Sequence, residues 1–438
     1  MKIKKGDVKL KAFTEILISY FQEHKFNLSK DIFITDVQMD SKKVTKGSLF
    51  IAINNGNNYV GEALERGAEI VICDRDIKEL NFSNVIKVEN SIESLQHLAK
   101  LYRKKLKLKV IAITGSEGKT TTKDLIFGVL SKTYKVKKTL GNHNNHIGLP
   151  YTILQLKEED EIAVLEMGMS GLGEIELLSQ IAAPDYAVIT NIGDSHLEFL
   201  INRDNVFKAK TELLKYVSPE RTLLYGDDPY FKAVDGIKIG FENQNDYVIN
   251  NEKDSYEGLS FNLNEDSYFI PLNGAYNAIN ASFGIVLGKL LNIDYLEIKE
   301  SLKDIEITGM RFQKIVKDKT LYINDAYNAS PVSMKMALKA FASLPLERDK
   351  VVVLADALEL GDKEIEYHKE ILTEALKYKF YKILVYGERM KKASKILNDP
   401  KIIYFDDKMK IKDFIQNMEN IGVLLKGSRG MKLEEIIM

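Results

Sequence analysis

One fifteen-residue stretch, Lys109–Lys123 (KVIAITGSEGKTTTK), constrains what this chain can fold into more than any other part of its sequence. Val110–Ile113 is a short apolar run bounded by a glycine, which predicts a buried parallel strand. Thr121–Leu130 predicts a helix, and the turn between them holds two glycines. A strand, a glycine turn and a helix in this order predict an α/β sheet with a phosphate-binding loop at one edge.

The residues of this turn have the chemistry that a nucleotide phosphate needs. The loop N–H groups and the helix N-terminus can face the phosphates, Lys119 adds a point charge, and the Thr120 hydroxyl can reach Mg²⁺. The spacing differs from the usual G-x-x-x-x-G-K-[ST], because only two residues separate Gly115 from Gly118, and an ordinary glycine turn is the alternative. The predicted phosphate contacts are Gly115, Ser116, Glu117, Gly118, Lys119, Thr120 and Thr121.

Length and composition set the wider limits. A chain of 438 residues is too long for one ordinary domain, and about three domains are expected. The content of 45% hydrophobic and 29% charged residues is typical of a soluble globular protein, and the net charge of -1 gives no reason to expect a nucleic-acid partner. The single Cys73 excludes an internal disulfide and a zinc site of several cysteines, and its apolar surroundings predict a buried strand thiol.

Nothing in the sequence indicates export or membrane insertion. The segment Met1–Lys11 is charged, unlike a signal peptide, and no apolar run approaches the ~18 residues that a membrane span needs. We therefore expect a cytoplasmic protein that does not insert into a membrane.

Three α/β units follow one another along the chain. Short strands and helices alternate up to about residue 105, a doubly wound sheet is predicted from about 108 to 308, and a further α/β unit begins at about 309. Ser91–Lys107 predicts an amphipathic helix whose basic run, Arg103–Lys107, is its solvated end and a linker. The predicted strands of the third unit are Leu321–Ile323, Val351–Leu354, Lys382–Tyr386 and Val423–Leu425.

Charged residues at the ends of predicted elements extend the candidate site. Glu166 ends the apolar strand Glu161–Glu166, and ligands of open α/β sheets bind outside the carboxyl ends of strands, so Glu166 is the favoured Mg²⁺ ligand. His196 could bind a second cation or a phosphate, although a loop histidine bonded to the backbone is the alternative. Lys210 lies in a predicted helix, where a lysine by itself is usually solvated, and Arg311 could reach across an interdomain cleft.

Amide side chains offer contacts for the rest of a nucleotide and for a second substrate. Asn277 and Asn280 are three residues apart on a predicted helix, so both can point at a purine or ribose unless one of them is an N-cap. The polar loop Gly141–Pro150 is predicted to face a substrate through its amides, and His143 and His146 as metal ligands are the less favoured interpretation.

Several stretches, taken together, resemble one family, the Mur ligases. They match in order and at suitable spacings from about Asp40 to the C-terminus: TGSEGKTTT, GNHNNHIGLP, LEMGMSGLGEIELLSQIAAPDYAVITNIGDSHLE, KAKTE, TGMRF, INDAYNASP, LADALELG and LLKGSRGMKLEEI. The resemblance implies a three-domain α/β fold. Residues 1–107 would form a small N-terminal α/β domain for a UDP-sugar, 108–308 a central P-loop ATPase-type parallel sheet, and 309–438 a Rossmann-like C-terminal domain.

The resemblance also implies an activity, ATP-dependent amide ligation in cytoplasmic peptidoglycan precursor synthesis. The γ-phosphoryl group of ATP would pass to the C-terminal carboxylate of UDP-N-acetylmuramoyl-tripeptide, and the amine of D-alanyl-D-alanine would attack the acyl phosphate. The by-products would be ADP and phosphate. The implied cofactors are ATP, Mg²⁺ at two sites and a lysine carbamate, and a monomer without a nucleic-acid partner is expected.

The resemblance assigns roles residue by residue. The implied catalytic residues are Lys119, Glu166, His196, Lys210 and Arg311, and the implied metal ligands are Thr120, Glu166, His196 and, as a carbamate, Lys210. The residues implied to bind ATP beyond the phosphate loop are Asn277, Asn280, Arg311 and Asp325. The implied substrate contacts are Asp40 and Ser41 on the UDP side, Asn144 and Asn145 beside the reacting carboxylate, and Asn328, Lys426, Ser428 and Arg429 for the dipeptide and domain closure.

The chain departs from the family pattern at a few positions. Lys42 stands where arginine is usual, which exchanges a forked donor for a point charge, and Asn54–Tyr59 is short and lacks the common D-G-H. Both changes concern the UDP side. Tyr276 stands where H-N is frequent, Ser330 replaces a usual asparagine, and Ala355 replaces a usual glycine.

Two other functions remain as alternatives at this point. The nearer one is another ligase of the same superfamily, such as the enzyme that adds the third amino acid or a folylpolyglutamate-type synthetase. The segment Asp325-Ala-Tyr-Asn328 stands in place of the D-N-P-R usual in the third-residue enzyme, which favours dipeptide addition. The other is a phosphate-loop switch without ligation, which would not need Glu166, His196 and Lys210 in one site.

Overall fold

The computed structural model describes residues 11–23, 32–77, 84–194 and 197–438. Within these ranges the chain forms three sheets of 4, 9 and 6 strands, one in each of three successive α/β units, and most strand pairs are parallel. The predicted fold class is confirmed. The sheets lie within residues 1–107, 108–308 and 309–438, and the domain boundaries themselves remain a prediction. His196 lies outside the described residues.

The first unit is a small parallel sheet in the order β1-β2-β3-β4. Its elements are α1 (Lys11–Glu23), β1 (Asp36–Gln38), β2 (Ser48–Ile51), α2 (Val60–Glu65), β3 (Ile70–Cys73), β4 (Val85–Lys87) and α3 (Ser91–Lys105). Asn90 starts α3 by accepting hydrogen bonds from the N–H groups of Ile92 and Glu93. Cys73 is a buried strand residue, as predicted.

The basic end of α3 is not fully solvated, so that part of the sequence prediction is wrong. Arg103 is only 8% exposed. Its guanidinium donates to the Ala182 carbonyl at 2.8 Å, to the Ala183 carbonyl at 3.1 Å and to the Asp185 carboxylate at 3.1 Å. A buried guanidinium needs acceptors for its donors, and these come from about eighty residues further along the chain. Arg103 therefore fastens the first unit to the second.

The central unit is a nine-stranded sheet in the order β13-β12-β11-β10-β9-β8-β5-β7-β6. Its strands are β5 (Lys109–Thr114), β6 (Val136–Lys138), β7 (Ile162–Glu166), β8 (Tyr186–Ile189), β9 (Thr222–Tyr225), β10 (Ile237–Gly240), β11 (Tyr247–Asp254), β12 (Leu259–Leu263) and β13 (Asp266–Ile270). The last two strands pair antiparallel, an extension that the alternating strand–helix pattern did not predict.

Helices cover both faces of this sheet, which explains why β5 is apolar along nearly its whole length. They are α4 (Lys119–Leu130), α5 (Gly148–Leu154), α6 (Glu174–Ala182), α7 (Leu197–Leu200), α8 (Arg203–Thr211), α9 (Ala275–Leu290) and α10 (Tyr295–Ser301). On one face α4 and α9 share a core that includes Ile126 and Phe283. On the other face α5 and α6 share a core with α1 and α3 of the first unit.

The third unit is a six-stranded sheet in the order β14-β15-β19-β16-β17-β18, with only β14 antiparallel. Its elements are β14 (Gln313–Lys317), β15 (Thr320–Asn324), α11 (Pro331–Ser343), β16 (Asp349–Ala355), α12 (Glu364–Leu376), β17 (Lys382–Tyr386), α13 (Glu388–Leu397), β18 (Ile402–Phe405), α14 (Lys408–Gln416) and β19 (Ile421–Lys426). The four strands predicted for this unit are present as β15, β16, β17 and β19.

The strand order of the central sheet fixes where a ligand can bind. The chain runs from β5 to one side through β6 and β7, and then returns to β8 on the other side of β5. Such a reversal opens a crevice at the carboxyl ends of the strands. The glycine turn after β5 lies at this crevice. In the ranges that the structure describes, no helix has the length and apolar character needed to cross a membrane.

Candidate active site

A cleft of about 400 Å³ lies between the glycine turn and the third unit. It brings together most of the side chains that the sequence singled out. The predicted site residues that line it are Ser116, Glu117, Gly118, Lys119, Thr120, Thr121, Asn144, Asn145, Glu166, Asn277, Asn280, Arg311, Asp325, Asn328 and Lys426. These residues are separated by up to about three hundred positions in the sequence, and the three-dimensional fold alone places them in one cavity.

Glycine is required twice in the turn. Gly115 has φ of +147°, and a Cβ there would lie 1.8 Å from the Thr190 hydroxyl oxygen. Gly118 has φ of +79°, and its Cβ would lie 2.7 Å from the Asn280 side-chain oxygen. Any other residue would force the loop away from its neighbours, so the two glycines allow a tight turn whose backbone stays accessible at the start of α4.

The turn is held in place by the residues that follow β8. The Glu117 N–H donates to the Asn191 side-chain oxygen at 2.9 Å, and the Glu117 carbonyl accepts from the Thr190 hydroxyl at 2.5 Å. The Gly193 N–H donates to the Ser116 hydroxyl at 2.8 Å. The loop conformation is therefore fixed by a neighbouring strand end rather than by the loop alone, as a preorganised anion site requires.

The Lys119 amine lies over the turn and lines the cleft. It donates to the carbonyls of Gly115 at 2.7 Å and Ser116 at 3.0 Å. Burial lowers the pKa of this amine, while the carboxylates of Glu166 and Glu117 act in the opposite direction. A polyphosphate in the cleft would add negative charge and favour the ammonium form. The arrangement can thus present a positive charge where phosphate oxygens would lie.

Thr120 and Glu166 form the oxygen-rich part of the cleft. The Thr120 hydroxyl donates to one Glu166 carboxylate oxygen at 2.9 Å, and the Asn144 amide donates to the other at 2.9 Å. Mg²⁺ in nucleotide sites is usually held by one or two protein oxygens together with phosphates and water. A hydroxyl and a carboxylate side by side on the phosphate loop fit that requirement. Among the described residues, no group of three or more His, Cys, Asp or Glu side chains could hold a metal by itself.

Lys123 is a charged neighbour of Glu166 that was not predicted from the sequence. It is 1% exposed within α4, and its amine lies 3.7 Å from the Glu166 carboxylate and 3.8 Å from that of Asp124. Burial lowers the pKa of the Lys123 amine, and the two carboxylates oppose that shift. Its position four residues after Lys119 was visible in the sequence, but a lysine in a helix is usually solvated.

Arg311 enters the cleft from the segment between the central and third units. Its guanidinium donates to the Thr120 hydroxyl at 2.9 Å and lies 4.6 Å from the centre of the Tyr327 ring. The Arg311 Nε is buried, and within the described part of the chain it has no hydrogen-bond acceptor. A guanidinium fixed on an aromatic face, with a free donor beside the phosphate loop, is suited to bind an oxyanion.

The wall opposite the phosphate loop belongs to the third unit. Asp325 pairs with the Lys426 amine at 2.8 Å and accepts from the Phe312 N–H at 3.0 Å. Lys426 also donates to the Asn328 carbonyl at 2.9 Å. These contacts join the carboxyl ends of β15 and β19, so both strand ends face the phosphate loop across the cleft.

A direct hydrogen bond also joins the third unit to the phosphate loop. The Ser330 hydroxyl donates to the Glu117 carboxylate at 2.5 Å. Ser330 is also the N-cap of α11, with its hydroxyl accepting from the Ser333 N–H at 3.1 Å. The serine that replaces the usual asparagine therefore retains a polar contact with the loop.

Asn277 and Asn280 lie on one face of α9, but hydrogen bonds connect them to each other. The Asn280 amide donates to the Asn277 oxygen at 3.1 Å, and the Asn277 amide donates to the Asn273 carbonyl at 2.8 Å. A second pocket of about 330 Å³ opens beside Asn280 and Gly118. Its lining also includes Tyr225, Asp227 and Tyr230, which were missed because the end of β9 and the short segment after it carry no recognisable pattern.

Lys210 is buried beneath the turn rather than exposed in the cleft. Its amine donates to the Gly115 carbonyl at 2.9 Å, and the residue is 2% exposed. Burial, together with the charge of Lys119, lowers the pKa of this amine well below its usual value. Its burial excludes the ordinary alternative of a solvated helix lysine, while its role as a carbamate-bearing ligand stays a prediction.

Several predicted residues lie outside the cleft. Asp40 accepts from the Lys42 N–H, and Ser41 donates to Glu62 at 2.8 Å, both in the first unit. The Ser428 hydroxyl accepts from the Leu358 N–H at 2.9 Å, and Arg429 pairs with Glu434. The structure therefore does not bring these four residues to the phosphate loop.

Among the described residues, the two histidines of the polar loop belong to no group of three or more side chains that could hold a metal. The His143 ring packs edge-on against Tyr151, with ring centres 5.6 Å apart, and the His146 carbonyl accepts from Gln96 at 2.9 Å. The preferred interpretation placed the loop amides beside a substrate. Asn142, Asn144 and Asn145 line the cleft, and a substrate beside their amides stays a prediction.

Comparisons with known proteins agree along most of the chain. Residues 113–288 match the Mur ligase middle domain, and residues 310–429 match the Mur ligase glutamate ligase domain. UDP-N-acetylmuramoyl-tripeptide–D-alanyl-D-alanine ligase of Bacillus subtilis (strain 168) is 40% identical over 422 residues, which cover 92% of each chain. The enzyme of the same name from Borreliella burgdorferi is 32% identical, with 87% of each chain covered.

Solved structures show the same relationship. MurF from Acinetobacter baumannii superposes with a TM-score of 0.87 at 26% identity, with 97% of both chains covered. MurF ligase from Thermotoga maritima, solved in complex with ADP, gives a TM-score of 0.82 at 28% identity and covers 93% of this chain and 97% of its own. With the phosphate loop, Glu166 and Arg311 meeting in one cleft, these matches show that the chain belongs to the Mur ligase family.

Proposed function

We propose that this protein joins D-alanyl-D-alanine to the C-terminal carboxylate of UDP-N-acetylmuramoyl-tripeptide, with hydrolysis of ATP to ADP and phosphate, in the cytoplasmic synthesis of peptidoglycan precursors. The observation that carries this proposal is the convergence of Lys119, Thr120, Glu166 and Arg311 in one cleft. The agreement of the relatives' names over nine-tenths of the chain supports the choice of substrates.

The chemistry explains why such a cleft is needed. A carboxylate is a poor electrophile because an amine would have to expel oxide from it. When a carboxylate oxygen attacks the γ-phosphorus of ATP, ADP leaves and an acyl phosphate forms. The amine of D-alanyl-D-alanine then attacks the acyl carbon, and the tetrahedral intermediate expels phosphate with loss of the amine proton. Both anions must be held close together against their repulsion, so positioning and charge stabilisation dominate catalysis.

The cationic side chains perform the charge stabilisation. Lys119, at the phosphate loop, would lie along the β- and γ-phosphates, and Arg311 would donate its free Nε to the transferring group from the other side. The Asn144 amide, fixed on Glu166, lies on the same side of the cleft as Asn145. These two amides would orient the reacting carboxylate toward the phosphates.

Thr120 and Glu166 would hold Mg²⁺, which when bound would neutralise phosphate charge and fix the γ-phosphoryl group. Asn144 and Lys123 keep the Glu166 carboxylate turned into the cleft. His196 is proposed as a ligand of a second Mg²⁺ on the family resemblance alone.

The nucleoside of ATP would lie in the second pocket, beside Asn280 and Gly118. That pocket shares Glu117, Gly118 and Asn280 with the main cleft, so a polyphosphate on the loop can continue directly into it. Asn277 and Asn280 would then contribute through their joined amides. Asp325 and Lys426 form a fixed pair on the opposite wall, where Asn328 and Lys426 would face the dipeptide.

Lys210 is proposed to carry a carbamate that contributes a ligand for the second cation. Carbon dioxide adds only to a neutral amine, and burial, which lowers the pKa of Lys210 well below its usual value, favours the neutral form over that of an exposed lysine. As the pH falls through that lowered pKa the amine protonates, so the carbamate should be lost on acidification. With ¹³C-labelled bicarbonate, the protein should show a carbamate carbon resonance that disappears in Lys210→Met. Identical spectra of the two proteins would exclude the modification.

The remaining assignments follow from the same proposal. Residues 1–107 would bind the UDP-sugar, with Asp40 and Ser41 on that side, 108–308 would bind ATP, and 309–438, with Ser428 and Arg429, would close over the cleft. A monomer is proposed on the family resemblance alone. Sedimentation velocity showing a stable dimer at working concentration would contradict the monomer.

Phosphate release tests the proposed function. We expect steady release from ATP only when UDP-N-acetylmuramoyl-tripeptide and D-alanyl-D-alanine are both present, because the acyl phosphate turns over only when an amine attacks it. Omitting either substrate, or replacing the dipeptide with a single amino acid, should lower the rate by about a hundredfold or more, as expected when a reacting group is missing. Equal rates with UDP-N-acetylmuramoyl-dipeptide and a single amino acid would instead indicate the third-residue ligase.

A further inference from the structure

The segment between α10 and β14 crosses from the central unit to the third unit, and side-chain hydrogen bonds join it to α4 at two places. At one of them Arg311 donates to the Thr120 hydroxyl at 2.9 Å. At the other, Thr308 donates to the Asp124 carboxylate twice, from its N–H at 2.8 Å and from its hydroxyl at 2.7 Å. Arg311 lies three residues after Thr308 in the segment, and Asp124 lies four residues after Thr120 in α4.

Asp124 is a fully buried carboxylate with its charge compensated. It is 0% exposed, and the oxygen that does not contact Thr308 accepts from the Lys138 amine at 2.7 Å. The Lys123 amine lies 3.8 Å away. Burying a carboxylate is costly unless ion pairs and hydrogen bonds replace its hydration, and here both oxygens have partners.

The backbone around Arg311 is held in an unusual conformation. Met310 has φ of +61° and Phe312 has φ of +52°, the left-handed region that residues other than glycine rarely adopt. Such strain persists only where surrounding contacts impose it, and it is found mostly at functional sites. Three contacts of this kind are present: the Phe312 N–H donates to Asp325 at 3.0 Å, the Tyr327 N–H donates to the Met310 carbonyl at 3.3 Å, and Thr308 is held by Asp124.

We propose that Asp124 is a positioning residue for ligation. It fixes Thr308 on α4, one helical turn beyond Thr120, and thereby fixes where Arg311 enters the cleft. Thr120 and Asp124 are four residues apart, so they lie on the same face of α4. Together they hold the segment between α10 and β14 against this helix. The inference rests on the proposed function, because it assigns Arg311 to the phosphates. It goes further because it names Asp124 as the residue of α4 to which the segment leading into the third unit is attached.

Thr308→Val is the variant that tests this inference with least disturbance. Valine has nearly the same shape and keeps the N–H bond to Asp124, but it removes the hydroxyl donor. We expect kcat to fall about tenfold while the KM for ATP stays within about twofold, because displacement of a charge-stabilising group mainly affects the transition state. Thr308→Ser restores the hydroxyl and should recover most of the lost kcat. The matched control is Thr133→Val, which removes another hydroxyl–carboxylate contact of the central unit, at 3.3 Å from Glu297.

A second measurement does not depend on activity. Amide hydrogen exchange over residues 305–312 should be faster in Thr308→Val than in the wild type and in Thr133→Val, because the crossing segment loses part of its anchor. Wild-type kcat in Thr308→Val, an equal loss in Thr308→Ser, a loss confined to KM, or unchanged exchange would each overturn the inference. Failure of the wild-type enzyme to release phosphate with both substrates would refute the proposed function instead, and the exchange comparison would still decide whether Asp124 anchors the segment.

Discussion

Lys119→Ala is expected to lower kcat by about a thousandfold, the largest effect of any single substitution in the cleft. The amine is the cation closest to the phosphate loop, 2.7 Å from the Gly115 carbonyl and 3.0 Å from that of Ser116. Removing one preorganised charge from a phosphoryl-transfer site costs about 10²- to 10⁵-fold in rate. Steady-state phosphate release with all three substrates measures the loss.

The same variant should fold normally. Burial lowers the pKa of the Lys119 amine, which means that its charged form is disfavoured in the folded protein without a ligand. Removing it should therefore leave the Tm unchanged or slightly raised, and this separates loss of catalysis from unfolding. Lys132→Ala is the matched control, because Lys132 follows the same helix and is exposed, with its amine on the Glu300 carbonyl at 3.2 Å. More than a tenth of wild-type activity in Lys119→Ala would refute the role of this residue.

Glu166→Gln is expected to lower kcat/KM by about a hundredfold and to raise the Mg²⁺ concentration needed for half-maximal rate. The amide has the same shape as the carboxylate but no charge, and hard divalent cations bind neutral amide oxygens more weakly than carboxylates. The new side-chain amide would also face the Asn144 amide, which donates to the Glu166 carboxylate in the wild type. Lys123 would keep Asp124 as its remaining close carboxylate. Titration of Mg²⁺ at saturating ATP measures the change.

The control for this substitution lies at the other end of the same strand. Glu161 immediately precedes β7, at the amino end, and its carboxylate accepts from the Lys135 N–H at 2.8 Å. Glu161→Gln therefore makes the same chemical change far from the phosphate loop and should leave the Mg²⁺ dependence unaltered. If Glu166→Gln retained the wild-type Mg²⁺ requirement, the proposed metal position at Thr120 and Glu166 would have to be abandoned.

Local sequence signals were sufficient for the centre of this site. The phosphate loop could be predicted because the strand, the two glycines and the helix are contiguous, and each has its own short-range signature. Glu166 followed from a general rule about the carboxyl ends of parallel strands, and the structure places it 2.9 Å from Thr120. In both cases the relevant physics acts within about ten residues of chain.

What could not be predicted depends on partners that are distant in sequence. Asp124 and Thr308 are 184 positions apart, and a mid-helix acid gives no sign that it will be buried. Arg103 looked like part of a solvated basic run because its carbonyl acceptors lie on another unit. The family resemblance singled out Lys210, but its burial under Gly115 could not be predicted from the helix pattern around it. Buried charges are recognised by their compensating contacts, and those exist only in the folded chain.

The antiparallel strands show a different limit. β11, β12 and β13 extend the central sheet by antiparallel pairing, which the strand–helix alternation did not indicate. These strands mix polar and apolar residues at an exposed edge of the sheet. Their sequences therefore contain neither a continuous apolar run nor a strict apolar–polar alternation, the two patterns that indicate a strand. Missing these strands did not affect the prediction of the site, because they lie toward the opposite end of the sheet from β5 and β7.

The central claim is that the tripeptide carboxylate is phosphorylated by ATP in this cleft, and transfer of an oxygen label tests it most directly. UDP-N-acetylmuramoyl-tripeptide carrying ¹⁸O in its C-terminal carboxylate would be turned over with unlabelled ATP and D-alanyl-D-alanine, and the released phosphate analysed by mass spectrometry. An acyl phosphate must deliver one carboxylate oxygen to each phosphate, so singly labelled phosphate is predicted. Unlabelled phosphate would mean that water or another group accepts the phosphoryl group, and it would contradict activation of the tripeptide as an acyl phosphate.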